Sequence, residues 1–285
     1  MAPHSDRRRR LLAEDRSQSE TVVEEAAPKP SRRKARLPAA ALMEPAPRIV
    51  DLIPKKWSTF AIVAGIGAAI VLVLAFLYWK TFEFARMTSD GRIEAFDLDG
   101  EGSLAVWYSS FLLTLASAVT FIIYSVRKRH VGDYRARYRV WGWASALWLV
   151  MSIDETGSLH EGFKELMSLA AGTRLTGDGS AWWAIAYVCV LCPIGLLIWR
   201  EMAASLPARI ALAGTAACFA LAVAAQMQWI FPESGMVGVT FEESFEMLGF
   251  LTLLTSMTLH ARHVIDESAE AAAPGKKKRG KGKAG

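Results

Sequence analysis

The sequence predicts an all-α, polytopic membrane protein with six transmembrane helices between two basic, disordered tails. Three observations lead to this fold class. The mean hydropathy of the 285 residues is positive, at +0.22. The apolar residues are concentrated in long runs, rather than spread at the period of an amphipathic helix or a half-buried strand. Basic residues alternate between successive loops, as they do in chains that cross a membrane repeatedly.

The two tails are predicted from their composition. Residues 1–56 contain too few apolar side chains to offset the entropy of ordering the chain, and they carry the run Arg7–Arg10. Residues 263–285 form a second basic tail, which ends in a lysine-rich stretch. We expect both tails to contact anionic lipid, and neither has the interleaved aromatic residues of a nucleic-acid-binding segment. The lipid bilayer is therefore the partner that the sequence predicts, and protein partners are left open.

The transmembrane domain is predicted to cover residues 57–262. Four of its apolar segments contain no charged residue or histidine and are long enough, at about 1.5 Å per residue, to cross a hydrocarbon core of about 30 Å. Two further segments include acidic residues, at the end of the third span and at the start of the sixth. The six spans are predicted at about 57–79, 104–126, 139–161, 181–199, 209–231 and 238–260.

Loop charges predict the orientation of these spans. Residues 127–139 include six Lys or Arg residues, and the short loop 200–209 has an arginine at each end. The loop after the first span is net acidic, and the loop after the fifth contains no Lys or Arg. The positive-inside rule then places both termini on the cytoplasmic side of a bacterial-type inner membrane.

Carboxylates within membrane spans are costly, so they mark candidate functional sites. The third span enters from the cytoplasm and the sixth from outside, so the rise per residue places Asp154, Glu242 and Glu246 at a similar depth near the outer surface. Helical spacing puts Asp154 and Glu161 on one face, aligns Glu242 with Glu246, and nearly aligns Glu243 with Glu246. These five carboxylates are expected to share one polar chamber.

A metal centre is one interpretation of this chamber. Carboxylates with an imidazole suit Fe, Mn or Zn, and smaller oxygen sets suit Ca or Mg. His160 is predicted as a nitrogen ligand or general base, and Glu155, about 100° away from Asp154 on the helix, as a second catalytic candidate. The sequence lacks the paired Glu-x-x-His of carboxylate-bridged dimetal bundles. The alternative is a hydrogen-bonded, partly protonated carboxyl cluster. The predicted metal ligands are Asp154, Glu161, Glu242, Glu243 and Glu246.

A second acidic motif lies in the first outer loop. Asp97, Asp99 and Glu101 resemble the first positions of an EF-hand calcium loop, and they are the predicted calcium ligands. The twelfth position would be Tyr108 instead of a glutamate, so the bidentate ligand is missing. The alternative is an acidic turn in which Ser103 caps the second span.

Together these features predict a divalent-metal-dependent activity at the outer leaflet, on a lipid or lipid-soluble substrate. Two other functions remain open: a proton- or cation-coupled transporter that uses a polar stripe on the sixth span, and a non-catalytic membrane scaffold. Whether the protein is an enzyme is therefore left open. The polar stripe consists of Glu242, Glu246, Gly249, Ser256 and His260.

Overall fold

The computed structural model describes residues 49–88, 93–129, 137–231 and 235–272. Most of both predicted tails lies outside these ranges. Within them every regular element is a helix and no strand is present. Two short 3-10 helices occupy Ile49–Leu52 and Glu94–Phe96. The α-helices of the described part are α1 (Trp57–Ala85), α2 (Leu104–Arg127), α3 (Arg139–Gly157), α4 (Leu159–Ala171), α5 (Ala181–Glu201), α6 (Leu206–Gln226) and α7 (Met236–Ala272).

Four of these helices, α1, α2, α5 and α6, are long and apolar enough to cross a membrane. They correspond to the first, second, fourth and fifth predicted spans. Large apolar side chains on their outer faces are exposed, including Leu72 of α1 at 71% and Leu196 of α5 at 60%. A contiguous apolar surface of this kind marks a membrane or protein interface.

Helix α7 lies at the centre of the bundle and packs against α1, α2 and α6. Its fully buried side chains, such as Met247, Leu253 and Met257, recur at helical spacing on the faces that meet these neighbours. Its 37 residues span about 55 Å, which exceeds the thickness of a bilayer core. The helix therefore continues to Ala272, past the end that the apolar run predicts at 260.

Polar and small residues hold the helices close to one another. On α2 and α3 the hydroxyls of Ser117 and Ser145 each donate to the other residue's carbonyl oxygen, at 2.7 and 3.0 Å. Ser110 and Ser152 repeat this exchange two turns away, at 2.8 Å in both directions. Such side chains let helix backbones approach closely where there is no water to compete for the hydrogen bonds.

The predicted third span, 139–161, is divided into two helices. Helix α3 ends at Gly157, and Ser158 adopts a left-handed conformation with φ 48° and ψ 41°. Helix α4 then begins, and the Asp154 side chain accepts a hydrogen bond from the His160 backbone N–H at 2.7 Å. This bond satisfies an amide at the start of α4, which has no partner within its own helix.

Helix α4 is amphipathic. Its exposed face carries apolar side chains such as Leu166 and Leu169, while Lys164 and Ser168 are buried on the opposite face. The short length and mixed composition of α4 are typical of a helix that lies along a surface, so α4 positions its buried polar face over the end of the bundle.

Candidate functional site

The seven residues predicted for the metal or catalytic site line one cavity of about 1150 Å³. Its walls come mainly from α3, α4, α5, α6 and α7, with the loop between α1 and α2 at its mouth. Among the described residues that line the cavity, Lys164 is the only Lys or Arg. The part of the cavity that the carboxylates line is therefore strongly acidic. The carboxylates that line it are Asp99, Glu101, Asp154, Glu155, Glu161, Asp178, Glu242, Glu243 and Glu246.

We call the inner part of this region the acidic chamber. All seven residues predicted for the metal or catalytic site face it, from α3, α4 and α7. Of the three predicted calcium ligands, Asp99 and Glu101 reach the cavity mouth, whereas Asp97 lines only a smaller neighbouring pocket. The acidic chamber consists of Asp154, Glu155, His160, Glu161, Glu242, Glu243 and Glu246.

The Asp154 carboxylate is buried, and hydrogen bonds engage both of its oxygens. Oδ1 accepts from the backbone N–H of His160 at 2.7 Å and lies 3.1 Å from its ring Nδ1. Oδ2 accepts from the hydroxyl of Tyr187 on α5. One carboxylate therefore joins α3, α4 and α5. This arrangement favours an orienting role for Asp154 over that of a metal ligand.

The His160 ring is fixed by this bond. An ionised carboxylate can only accept hydrogen bonds, so Nδ1 carries a proton and Nε2 is left toward the chamber, 3.9 Å from Glu161 Oε1. The ring also meets the edge of Trp183, with centroids 5.5 Å apart. Burial alone would lower the pKa of His160, but the hydrogen bond to Asp154 and the charges of Asp154, Glu161 and Glu246 together raise it above its ordinary value.

The glutamates of α7 face the acidic chamber from the opposite side. Glu242, Glu243 and Glu246 are half-buried because their side chains border the cavity. With its side-chain amide flipped so that the nitrogen faces the neighbouring acceptors, Gln226 of α6 donates a hydrogen bond to Oε2 of Glu242 at 2.9 Å. Glu246 also interacts electrostatically with Glu155 of α3. Like charges crowded in a buried chamber require protons or a bound cation to balance them.

Glu155 has a partner on a third helix. Ser109 of α2 is buried and lies within hydrogen-bonding reach of the Glu155 side chain. The predicted catalytic residue Glu155 and the predicted ligand Glu246 therefore belong to one interacting set. Asp154, one residue earlier, points to His160 and Tyr187.

Lys164 neutralises the outer edge of the chamber. Its Nζ lies 2.5 Å from Glu161 Oε2 and 3.2 Å from Asp178 Oδ2. Burial would lower the pKa of Lys164, but its bonds to these carboxylates raise it. Burial would raise the pKa of Asp178, but hydrogen bonds from Ser180 and then Lys164 lower it. Glu161, a predicted metal ligand, is thus ion-paired in this arrangement.

Lys164 and Tyr187 belong to the site but were not among its predicted residues. A lysine in an amphipathic segment is usually solvated, so the burial of this lysine could not be predicted from its surrounding sequence. Tyr187 lies inside an apolar run. Its hydroxyl indicated a hydrogen-bond partner within the bundle, because a buried tyrosine O–H usually has one. Neither partner could be inferred, since the fold supplies both from other helices.

The described residues contain no group of three or more His, Cys, Asp or Glu side chains arranged to hold a metal ion. The Fe, Mn or Zn centre at the third and sixth spans therefore stays a prediction, as does calcium in the first outer loop. In that loop, the backbone carbonyl of Asp97 accepts from the Gly100 N–H at 3.1 Å, and the Ser103 hydroxyl accepts from the Val106 N–H at 3.2 Å. These bonds form an acidic turn with a serine cap on α2.

The inner half of the polar stripe on α7 is used for packing. A Cβ at Gly249 would lie 2.7 Å from the Phe219 ring, so α6 and α7 are in close contact there. Ser256 donates to the Ala208 carbonyl at 2.8 Å. His260 is fully buried and stacks on Trp141, with centroids 4.6 Å apart. These contacts favour a packing seam over a proton or cation path.

Comparison with known families gives one match. The model of a family described as a domain of unknown function, DUF8692, matches residues 61–261, well over half of the chain. The chain therefore belongs to this family. The matched range includes every residue of the acidic chamber and leaves out both tails. Neither a curated protein nor a solved structure matches the chain.

The first prediction concerns the titration of His160. Asp154→Asn removes the negative charge beside Nδ1, so the pKa of His160 should fall. Because the pKa is raised in the folded state, the pair stabilises the fold fully below about pH 6.5, the unfolded value, and this stabilisation is lost as pH rises through the higher folded pKa. NMR titration of the ¹³C-labelled ring measures the midpoint.

The matched control is Glu165→Gln on the same helix. Glu165 is exposed and pairs with Arg174 at 2.8 Å, so its removal should leave the titration of His160 unchanged. A wild-type midpoint at or below the ordinary value, or no change in Asp154→Asn, would contradict the assigned hydrogen bond.

Proposed function

We propose that the protein crosses a bacterial-type inner membrane six times, with both termini on the cytoplasmic side and the basic tails against anionic lipid. The proposal adds α3 and α7 to the four helices that are apolar enough to span alone. The 19 residues of α3 extend about 28 Å, close to the core thickness, and α7 is longer than the core. The acidic residues within the two proposed spans line the acidic chamber, which makes them tolerable within a membrane. They are Asp154, Glu155, Glu242, Glu243 and Glu246.

The second prediction tests this topology. Single cysteines in a variant without the native cysteines should react with an impermeant maleimide from outside at positions 90, 175 and 235. Positions 10, 132, 204 and 280 should react only after the membrane is opened, and Ala204 is exposed at the turn between α5 and α6. Labelling of position 132 from outside would contradict the six-span arrangement, because the spans before it would then be misassigned.

We further propose that the acidic chamber is an acid–base site, which acts on the polar end of a lipid or lipid-soluble substrate at the outer leaflet. One observation carries this proposal: a single cavity joins the carboxylates and His160 to an apolar region between α5 and α6. Binding sites for small molecules are typically apolar cavities with a few convergent polar groups. A substrate with a polar end and an apolar chain fits a cavity that has a polar part and an apolar part.

The residues of the chamber would have different roles, some in proton transfer and others in positioning. His160 would accept or donate a proton through Nε2, while Asp154 holds its ring and its tautomer. Glu155 and Glu246, which interact with each other across the chamber, would exchange a proton with the substrate. Lys164 would hold the carboxylates of Glu161 and Asp178 in place, apart from the reacting groups.

A divalent-metal-dependent activity is the second candidate, and the His160–Asp154 bond favours it. A histidine that binds a metal through one ring nitrogen usually donates a hydrogen bond from the N–H of the other nitrogen to a carboxylate. Nδ1 of His160 donates to Asp154 in this way. Glu155, Glu243 and Glu246 would then be the carboxylates available to the ion, because Asp154 and Glu161 have other partners. The ion would supply Lewis acidity or an activated water.

The third prediction separates these two candidates. Glu246→Gln keeps the volume of the side chain and removes its charge. In a protonated acid–base site the amide resembles the neutral acid, so the unfolding free energy should be unchanged or higher. The wild type should contain no stoichiometric metal, and chelator should not change its unfolding. Elemental analysis and thermal unfolding of both proteins in one detergent measure this, with Glu165→Gln as the control.

The metal candidate makes the opposite prediction for the same samples. Bound metal should then be present in the wild type and in Glu165→Gln, and absent in Glu246→Gln. Saturation at a hundred times the dissociation constant would stabilise the folded state by about 2.7 kcal/mol, and chelator would remove this stabilisation. That outcome would replace the metal-free site with a metal-dependent one.

A further inference from the structure

The cavity continues below the acidic chamber as an apolar slot, which we define by Leu191, Gly195 and Trp199 of α5 and by Leu212, Ala216 and Phe219 of α6. On α5 the lining residues follow one another at intervals of four, so they form one face of the helix. From Tyr187, which bonds to Asp154, this face descends to Trp199 over about 18 Å. That length exceeds the roughly 15 Å of one leaflet.

The slot is open at its side. Val188 and Leu196 of α5 line the cavity, yet they are 57% and 60% exposed. Opposite them, Ala213, Ala216 and Ala220 of α6 also line the cavity and are exposed. Helix α5 makes few close backbone approaches to α6, although only residues 202–205 separate the two helices. In a bilayer, a lipid chain could therefore enter between these helices without leaving the membrane.

The chemistry of the two parts indicates what would occupy them. Water is a poor occupant of the slot, because an apolar cavity offers it no hydrogen-bond partners. A hydrocarbon chain fills such a space, and α5 presents no polar side chain to it between Leu191 and Trp199 other than the thiol of Cys192. Above the slot, the described lining residues present nine carboxylates and one lysine, so an anionic head would be repelled and a cationic head attracted.

We propose that the slot holds the apolar chain of a single-chain amphiphile, whose cationic head lies in the acidic chamber and which enters laterally between α5 and α6. This inference rests on the proposed function and names the class of its substrate. The head would lie beside Glu242, Glu243 and Glu246, and the chain would pass Tyr187 on its way down α5.

The fourth prediction concerns photolabelling of the full-length protein in phosphatidylcholine nanodiscs. The probe is octadecylamine that carries a photoreactive diazirine near the end of its chain. Photolysis should label peptides of α5 and α6 that contain slot residues. Gly195→Phe fills the slot without a backbone clash, since a Cβ at this glycine meets no atom within 4 Å. This variant should lose about tenfold of the labelling, equivalent to about 1.4 kcal/mol.

The matched control is Gly214→Phe on α6. Gly214 also has no atom within 4 Å of an added Cβ, but it does not line the cavity, so labelling should stay near the wild-type value. Excess octadecyltrimethylammonium should compete with the probe, while octadecyl sulfate should not. Unfolding curves of both variants would confirm that each is folded.

Two failures can be told apart. If Gly195→Phe is labelled like the wild type while competition still depends on head charge, the slot is overturned and the acidic chamber stands. If Gly195→Phe abolishes labelling but the sulfate competes as well as the ammonium, the cationic head is overturned, whereas the slot and the acid–base role of the chamber stand.

Discussion

The hydrogen bonds to the Asp154 carboxylate hold the functional end of this molecule together. They connect α3 to the start of α4 through His160, and to α5 through Tyr187. Helix α5 has few other close approaches to the bundle, apart from its neighbour α4 and the turn into α6. A buried carboxylate that lost these donors would be left uncompensated, at a cost of several kcal/mol. This interaction therefore fixes the orientation of the His160 ring and joins α5 to α3 beside the cavity.

The remaining charges of the cavity fall into two groups with different partners. At the rim, Lys164 balances Glu161 and Asp178, so this part is a closed ion-pair network. Inside, the glutamates of α7 meet Gln226 and one another, and they share the chamber with Glu155. The inner group, together with Nε2 of His160, is left to exchange protons or to bind a cation. The arrangement thus separates residues that hold the site from residues that are available for chemistry.

Much of this architecture could be predicted from the sequence. Long apolar runs predicted the four apolar helices, because the side chains of such a run can be removed from water only in a membrane or in a large protein core. The rise of a helix placed Asp154, Glu242 and Glu246 at one depth, and these residues line one cavity. The break at Ser158 was not predicted, since it depends on a side chain that satisfies an amide six residues away.

The roles of Lys164 and Tyr187 could not be predicted for the same physical reason. Their partners come from distant helices, and neither helical spacing nor composition carries that information. The apolar slot was also missed, because a cavity is defined by where helices fail to touch, and only the three-dimensional arrangement of α5 and α6 shows it.

The most direct test of this account is a double-mutant cycle between Asp154→Asn and Tyr187→Phe, measured by reversible unfolding in mixed micelles. Tyr187→Phe removes the donor and Asp154→Asn removes the negative charge of the acceptor, so either substitution alone removes the charge-assisted bond that joins α3 to α5. Hydrogen bonds to charged groups contribute about 1.5–3 kcal/mol, so the account predicts a coupling energy of that size. A coupling energy near zero would contradict it, because the two side chains would then stabilise the protein independently.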